Sequence, residues 1–207
     1  MKYITCQADV DADADNLVAE HPLFAKSYTL TGPLPLRLRK DGFEELASAI
    51  VSQQVSVASA NAIWKRVVEA KMTHPETILR ASDDDLRGCG LSRPKVKYIK
   101  ALAEADIDFI ALRTAPLDDI IAVLTQVNGI GRWTAEIYAM FSLGHGDVFA
   151  ANDLALQEAT KILFDLEARP SEKDMRAMSQ DWSPYRSVAA RLLWAYYHVE
   201  KTREGIR

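Results

Sequence analysis

The residues best suited to chemistry are two glycines at the start of a helix and one carboxylate at the start of the next. The glycines are Gly129 and Gly131, and the carboxylate is Asp153. A Gly-x-Gly turn permits positive φ, removes both Cβ atoms and lets N–H groups at a helix start converge on a phosphate. An ionised carboxylate stabilises a developing positive charge. Together these groups predict a protein that holds a DNA backbone and cuts a base from it.

Each of these signals also has an ordinary structural explanation. Glycine commonly ends a helix, and an aspartate in a first helical turn complements the helix dipole. We expect Asn152 to be the N-cap and Asp153 to lie inside the first turn, where the dipole favours a charged carboxylate. The chemical interpretation therefore depends on what accompanies these residues elsewhere in the chain.

The composition is that of an ordinary soluble globular protein of one or two small domains. The chain has 207 residues, 48% of them hydrophobic and 26% charged, which allows a core without disulfides or metal. Cys6 and Cys89 are too few for a disulfide framework or a metal cluster, as expected in a reducing compartment. The chain has no apolar run of membrane-spanning length, and its N-terminus is acidic. We expect a cytoplasmic protein, nucleoid-associated if bacterial, with no membrane partner.

The formal net charge of −4 argues against a protein that coats DNA through bulk electrostatics. A local basic patch is sufficient for phosphate contacts, and Arg93, Lys95, Lys97 and Lys100 form a candidate patch. The ordinary alternative is a solvated helix face. The alternating acids of Asp9–Asp15 lack the glycine and terminal glutamate of a calcium loop, so we predict a solvated capping region there.

Helical periodicity dominates the chain from Phe43 onward. Helices are predicted to begin near Phe43, Ala58 and Arg93 and to cover Leu117–Thr125, Arg132–Leu143, Leu154–Leu166 and Pro184–His198. Strand-type alternation is weak and occurs only near Tyr28–Arg39. We therefore expect an all-α fold with a short irregular N-terminal lead. A helix, a Gly-x-Gly turn and a new helix at Leu86–Pro94 repeat the plan of Val127–Ala135.

Four motifs occur in order along the chain. They are Gln53-Gln54-Val55-Ser56-Val57-Ala58-Ser59-Ala60, Gly129-Ile130-Gly131-Arg132-Trp133-Thr134-Ala135, Asp147-Val148-Phe149-Ala150-Ala151-Asn152-Asp153 and Trp182-Ser183-Pro184-Tyr185-Arg186-Ser187-Val188-Ala189. With these motifs the chain resembles the helix-hairpin-helix DNA glycosylase superfamily over roughly residues 35–200. Within that superfamily it is most similar to the 3-methyladenine DNA glycosylase II type, which removes alkylated bases.

The resemblance implies an all-α fold of two helical subdomains with a central cleft, without the N-terminal β-domain of longer members. We expect the subdomains to cover residues 35–112 and 113–207, with residues 1–34 packing on the C-terminal part. The bifunctional relatives carry a lysine where this chain has Trp133, so no lyase activity is expected. Relatives with an iron–sulfur cluster need four cysteines near the C-terminus, and this chain has none after Cys89.

The resemblance also assigns roles to residues. The catalytic aspartate is Asp153, preceded here by Asn152 where relatives often have an acid. Trp133 and Trp194 match positions that line the base pocket, and Gln54 matches the wedge that fills the gap left by a flipped nucleotide. Residues expected to contact DNA are Gly129, Ile130, Gly131, Arg132, Thr134, Gln54, Arg93 and Lys95. In the family, hairpin carbonyls hold a monovalent cation, and the matching residues are Thr125, Val127 and Ile130.

The expected function is therefore hydrolytic excision of alkylated purines, such as 3-methyladenine or 7-methylguanine, by a monomer acting on double-stranded DNA. No cofactor is required, apart from a structural Na⁺ or K⁺ at the hairpin. Three alternatives stay open at this point: a glycosylase for a neutral lesion such as uracil, hypoxanthine or a mismatched base; a non-catalytic helix-hairpin-helix DNA-binding module; and an interaction protein built on helical hairpins.

Overall fold

Helices supply the regular structure of this protein. The computed structural model describes residues 2–203. The helices are α1 (Gln7–Glu20), α2 (Pro22–Thr31), α3 (Phe43–Ser52), α4 (Val57–Glu69), α5 (Pro75–Arg80), α6 (Asp83–Gly88), α7 (Arg93–Glu104), α8 (Phe109–Leu112), α9 (Leu117–Thr125), α10 (Arg132–Phe141), α11 (Leu154–Leu163), α12 (Glu172–Met178) and α13 (Arg186–Arg203), with a 3₁₀ turn at Ser179–Trp182. Residues 2–203 contain no strand, only an isolated bridge between Tyr3 and His145. The all-α prediction is confirmed.

The helices predicted from Phe43 onward are present, but α10 and α11 end earlier than expected, at Phe141 and Leu163, and α13 runs from Arg186 to Arg203. In α3 the buried residues are Phe43, Leu46, Ala47, Ile50 and Val51, the i, i+3, i+4 pattern of one helix face. The helix α4 begins after Ser56, whose hydroxyl accepts the N–H of Ser59 at 3.2 Å. A side-chain oxygen at this position satisfies one of the N–H groups that a helix start leaves without a partner.

Most of the N-terminal lead is helical, so the prediction of an irregular lead was wrong. The weak alternation of Tyr28–Arg39 corresponds to no strand: α2 ends at Thr31, and residues 32–39 are irregular. The alternating acids of the lead do not follow the spacing of its buried residues. In α1 these are Val10, Asp13, Ala14 and Leu17, three or four residues apart as on one face of a helix. Asp13 is 1% exposed and pairs with Lys2, so the prediction of a solvated region fails for this residue. Burial raises the pKa of Asp13 above its ordinary value, opposed by the hydrogen bond from Lys2.

The described chain divides into two compact units. The terminal unit comprises residues 2–38 and 139–203, and the central unit comprises residues 39–138. The division therefore falls inside α10, after Tyr138, and not near residue 112 as expected from the sequence. Tyr138 belongs to the central unit because its hydroxyl oxygen accepts the N–H of Gly42 at 2.7 Å and its ring lies 6.5 Å from that of Phe109.

The terminal unit is built around α13, which packs against α1, α2 and α11. Aromatic rings fill its core: the centroid of Trp182 lies 5.3 Å from that of Phe24, 5.2 Å from that of Phe149 and 5.9 Å from that of Phe164. Trp182 is 2% exposed, so this tryptophan is part of the core and has no access to a substrate. The contacts of Trp182 with Phe24 and Phe149 are edge-to-face, and such contacts stabilise beyond simple area burial.

The central unit packs α3 against α4 and α7, and α5 against α7. Its fully buried side chains include Leu46, Ile50, Ile78, Ile99 and Leu124. In the part of the chain that the structure describes, every helix is too short or too polar to traverse a lipid bilayer.

Candidate functional site

The hairpin of the central unit joins α9 to α10 through a tight turn. The N–H of Val127 donates to Leu124 O at 3.2 Å, and the N–H of Ile130 donates to Val127 O at 3.0 Å. Gly129 has φ +96°, and a Cβ at this position would overlap the ring of Tyr98. Glycine at 129 is thus required both by the backbone conformation and by the side chain packed against the turn.

Gly131 differs from Gly129. It is exposed, it has no positive φ, and a Cβ built on it would have no neighbour within 4 Å. The positive φ that a Gly-x-Gly turn permits is therefore adopted at Gly129 and not at Gly131. The absence of a Cβ at Gly131 leaves the surface open at the start of α10. The first helical bond of α10 runs from Ala135 N to Gly131 O at 3.1 Å. The N–H groups before it are those that can face an anion.

Two of the residues expected to contact DNA are buried instead. Ile130 is 4% exposed and its N–H bonds within the turn, while Thr134 is 7% exposed. Their side chains anchor the hairpin to the core of the central unit, because positions 130 and 134 face inward. Thr134 keeps one means of contact with DNA, its backbone N–H in the first turn of α10.

Arg132 and Trp133 lie at the exposed start of α10. The Arg132 side chain is 53% exposed, and its Nε donates to Oε1 of the buried Glu136 at 3.0 Å. This contact fixes the Nε end of the guanidinium, while the side chain as a whole remains open to solvent. Trp133 is 41% exposed, an unusual state for an indole ring in a folded unit. An indole ring exposed to this extent presents a surface on which a base can stack.

The predicted basic patch is smaller than its sequence suggested. Lys95 is 8% exposed and donates from Nζ to Val51 O at 2.7 Å. Its assignment to DNA was therefore wrong. The helical period places Lys95 on the same buried face as Val96, Ile99 and Leu102, and burial lowers the pKa of its ammonium.

Other members of the patch have different surroundings. Lys100 forms an ion pair with Asp83. Arg93 and Lys97 remain exposed, so they are the patch residues still able to meet a phosphate.

The predicted wedge follows the end of α3. Gln54 is exposed and has φ +56°, a left-handed conformation that a residue other than glycine rarely adopts. The preceding residue, Gln53, is half-buried and donates from Nε2 to Gly129 O at 2.9 Å. Both glutamines lie in one of the four sequence motifs, but the motif does not predict this contact with the hairpin.

Asp153 and Trp194 meet in the terminal unit. Asp153 is itself the N-cap of α11, so the expectation that Asn152 would be the cap was wrong. Its Oδ1 accepts the N–H groups of Ala155 at 2.9 Å and Leu156 at 3.1 Å, and the indole Nε1–H of Trp194 at 3.1 Å. Asn152 is exposed. Three N–H donors thus hold one half-buried carboxylate in a single orientation.

Trp194 also has a packing partner. Its ring centroid lies 5.8 Å from that of Phe141 at an interplanar angle of 33°. The sequence suggested only that Trp194 lines a pocket, and missed that it orients the carboxylate. The available signal was chemical: a half-buried indole N–H needs an acceptor, and an aspartate supplies one.

The segment that leads to Asp153 is held by a second carboxylate. The carboxylate of Asp147 accepts hydrogen bonds from Nε of Arg186 at 2.6 Å, from Nη2 of Arg186 at 2.9 Å and from the hydroxyl of Ser183 at 2.8 Å. Burial alone raises the pKa of Asp147, but these hydrogen bonds outweigh it and hold the pKa below its ordinary value. The contacts tie the start of α13 to the loop before α11. Asp147 and Arg186 therefore support the site and do not form it.

Comparison with known proteins gives consistent matches. A family described as the HhH-GPD superfamily of base excision DNA repair proteins matches residues 47–184. The chain is 33% identical over 165 residues to DNA-3-methyladenine glycosylase 1 of Schizosaccharomyces pombe, covering 75% of this chain and 72% of that protein.

Two solved structures extend the match to the fold. One is a DNA-3-methyladenine glycosidase from Bacillus halodurans, with a TM-score of 0.82, 32% identity, and coverage of 93% of this chain and 91% of the other. The second is the S. pombe 3-methyladenine DNA glycosylase in complex with abasic DNA. Its TM-score is 0.77 with 30% identity, and 93% of this chain and 97% of that chain are covered.

Proposed function

The chain belongs to the HhH-GPD superfamily of base excision DNA repair proteins, and we propose that it excises alkylated purines from DNA by hydrolysis. The observation that carries this proposal is the carboxylate of Asp153, held at Oδ1 by the N–H groups of Ala155, Leu156 and Trp194. A carboxylate with a fixed orientation at a helix start can stabilise positive charge without reorganising during the reaction.

The lesion supplies much of the driving force. Alkylation at N3 or N7 makes a purine cationic, so the base leaves with the electron pair of the glycosidic bond and needs no protonation. An exposed indole such as Trp133 attracts such a base by stacking and by a cation–π interaction of about 0.5–2 kcal/mol. The enzyme must first extrude the nucleotide, which costs roughly a few kcal/mol and less for a damaged pair.

The carboxylate acts on the sugar. As the bond from C1′ to the purine nitrogen lengthens, the deoxyribose gains positive charge, which Asp153 stabilises. Water adds to C1′ and loses a proton, which the same carboxylate accepts. The products are the free base and an abasic site in an intact strand. Trp133 carries no amine, so it provides no nucleophile for a Schiff base and for strand cleavage.

The hairpin supplies the hold on the DNA backbone. The open surface at Gly131 and the N–H groups in the first turn of α10 suit a phosphate, and the exposed Arg132 adds a positive charge beside them. This mode of binding uses oriented dipoles, so it is compatible with a chain whose net charge is −4.

We also propose that the hairpin holds Na⁺ or K⁺ through the carbonyl oxygens of Thr125, Val127 and Ile130. Neutral carbonyl oxygens suit a hard cation of low charge. The carbonyl of Val127 accepts one hydrogen bond, from Ile130 N, and a carbonyl has a second lone pair for a cation. Residues 2–203 contain no cluster of His, Cys, Asp or Glu that would favour a divalent metal instead. When bound, the cation would supply positive charge next to a DNA phosphate.

For its partners, we propose that the protein acts as a monomer on damaged double-stranded DNA, in the compartment that contains the genome. A complex with abasic DNA is known for a relative of 30% identity, which supports DNA as the partner here.

Incubation with methylated genomic DNA tests the proposed function directly. We expect chromatography to show release of 3-methyladenine or 7-methylguanine, and denaturing gels to show intact strands until the abasic sites are cleaved chemically. Release of hypoxanthine or uracil without methylated bases would identify an enzyme for neutral lesions. Tight DNA binding with no release of any base would identify a non-catalytic binding module.

Replacing Trp194 with phenylalanine tests the indole as a partner of the carboxylate. The variant keeps a ring against Phe141 but loses the hydrogen bond to Asp153. Because a hydrogen bond to a charged group contributes about 1.5–3 kcal/mol, we expect the single-turnover excision rate to fall by at least about tenfold.

Trp194→Phe should cause little further loss in an Asp153→Asn background, since the two residues act together. A variant that excises at the parental rate would show that the indole only fills space.

A further inference from the structure

Three contacts in the central unit connect the end of α3, the start of α7 and the hairpin turn. The amide of Gln53 donates to Gly129 O at 2.9 Å, and the ammonium of Lys95 donates to Val51 O at 2.7 Å. The ring of Tyr98 packs so closely on Gly129 that a Cβ there would overlap it. The end of α3, the first turns of α7 and the hairpin turn are thereby joined to one another.

Each contact has a distinct physical role. Lys95 places a positive charge at the C-terminal end of α3, where carbonyl groups lack helical partners and the dipole is negative. Tyr98, on the next turn of α7, supports the hairpin. Gln53 is the direct link, since its side chain joins positions 76 residues apart in the sequence. Its amide is half-buried, so water competes weakly for this hydrogen bond.

The residue next to this link is the exposed Gln54. A φ of +56° is unfavourable for glutamine, and such a conformation persists only where the surrounding structure imposes it. Contacts on both sides of Gln54 impose this conformation. Gln53 is bonded to the hairpin on one side, and Ser56 caps α4 on the other. The short turn of Gln54 and Val55 is therefore held at both ends.

We propose that Gln53 is a positioning residue that sets the projection of Gln54 relative to the phosphate-binding hairpin. This inference rests on the proposed function, in which Gln54 enters the duplex while the hairpin holds the flanking phosphate. Flipping requires both events on the same stretch of backbone. The hydrogen bond from Gln53 to Gly129 O fixes the distance between the wedge and the phosphate site. This distance matters because a displacement of about 1 Å at a positioning residue costs up to about 10²-fold in rate.

The test compares Gln53→Met with the parent protein. Methionine has a similar length but no N–H donor. The substrate is a duplex with one 7-methylguanine and an adjacent 2-aminopurine, whose fluorescence rises when the neighbouring base leaves the stack. At saturating protein, we expect the fluorescence change and the single-turnover excision rate to fall by about tenfold, the effect of one lost hydrogen bond of about 1.4 kcal/mol. Affinity for an undamaged duplex and its salt dependence should not change.

Two further variants separate positioning from general support of the fold. Gln53→Lys restores an N–H donor of similar reach, so it should recover the fluorescence change that Gln53→Met loses. Gln180→Met makes the same substitution at an exposed amide-to-carbonyl bond within one helical turn, from Gln180 Nε2 to Arg176 O at 3.1 Å, in the terminal unit. That control should excise at the parental rate.

A double-mutant cycle with Gln54→Ala decides whether Gln53 acts through Gln54. We expect Gln53→Met to have no further effect once Gln54 is alanine. The inference would be overturned if the rate losses of Gln53→Met and Gln54→Ala multiplied in the double variant. It would also be overturned if Gln53→Met weakened binding to undamaged DNA as much as it slowed excision. Both results would leave the proposed function intact. If Gln54→Ala alone kept the parental fluorescence change, Gln54 would not be the wedge, and the inference would also be overturned. A parent protein that releases no methylated base would instead refute the proposed function.

Discussion

Replacing Asp153 with asparagine should reduce the single-turnover release of methylated purines by about 10²–10³-fold, the range seen when one preorganised electrostatic group is removed from an active site. Asparagine has the same shape and is an equally good N-cap. It can still accept the N–H groups of Ala155, Leu156 and Trp194 through its Oδ1. What it lacks is the negative charge that stabilises the developing sugar cation.

The substitution therefore separates chemistry from capping. Thermal unfolding should change little in Asp153→Asn, whereas Asp153→Ala should also destabilise the protein by about 1 kcal/mol through loss of the cap. The matched control is Asn152→Ala, because Asn152 is the exposed neighbour in the same loop. If Asp153→Asn released methylated bases at the parental rate, the catalytic role of Asp153 would be refuted.

Alanine at Gly129 should destabilise the protein strongly, whereas alanine at Gly131 should leave stability unchanged and weaken DNA binding. At Gly129 the new Cβ meets the ring of Tyr98, and φ is +96°. An unfavourable backbone conformation together with overpacking amounts to about 3 kcal/mol. For a chain of this length, such a loss lowers the midpoint of thermal unfolding by about 10 °C.

Gly131 provides the contrasting half of this experiment. Its Cβ would have no protein neighbour within 4 Å, so we expect a change in unfolding free energy within about 0.5 kcal/mol. The methyl group would instead project from the surface where a phosphate approaches the start of α10. Loss of a charge-assisted hydrogen bond should weaken binding by about tenfold.

The measurement is the dissociation constant for an abasic-site duplex, determined at two salt concentrations because phosphate contacts depend on salt. Undiminished affinity in Gly131→Ala would exclude the hairpin as the phosphate site. A Gly129→Ala protein as stable as the parent would show that Tyr98 moves aside and that the turn tolerates a side chain.

Features that depend on neighbouring residues in the chain could be predicted from the sequence. The apolar period of α3 and the positions of α9, α10 and α11 follow from side chains three and four residues apart. The same holds for the helix-hairpin-helix motif and for the acidic residue at the start of α11. These features arise from local backbone geometry, which a run of about ten residues already specifies.

The partners of polar side chains were decided by the tertiary structure. A lysine in a basic run is ordinarily solvated, yet Lys95 is buried because α7 turns that position toward the end of α3. Asp13 occupies an apolar position of α1 because Lys2 pairs with it. In each case a distant contact outweighs the preference of the residue for water.

The candidate site shows the same division. Asp153 and Trp194 could each be named from the sequence, but the hydrogen bond between them depends on how α11 and α13 pack. The link from Gln53 to Gly129 depends in the same way on how α3 approaches the hairpin. Residue types and spacing determined which chemistry is available to this protein. Only the packing of helices distant in the chain determined which groups are oriented to perform it, because hydrogen bonds form between atoms about 3 Å apart whatever their separation in sequence.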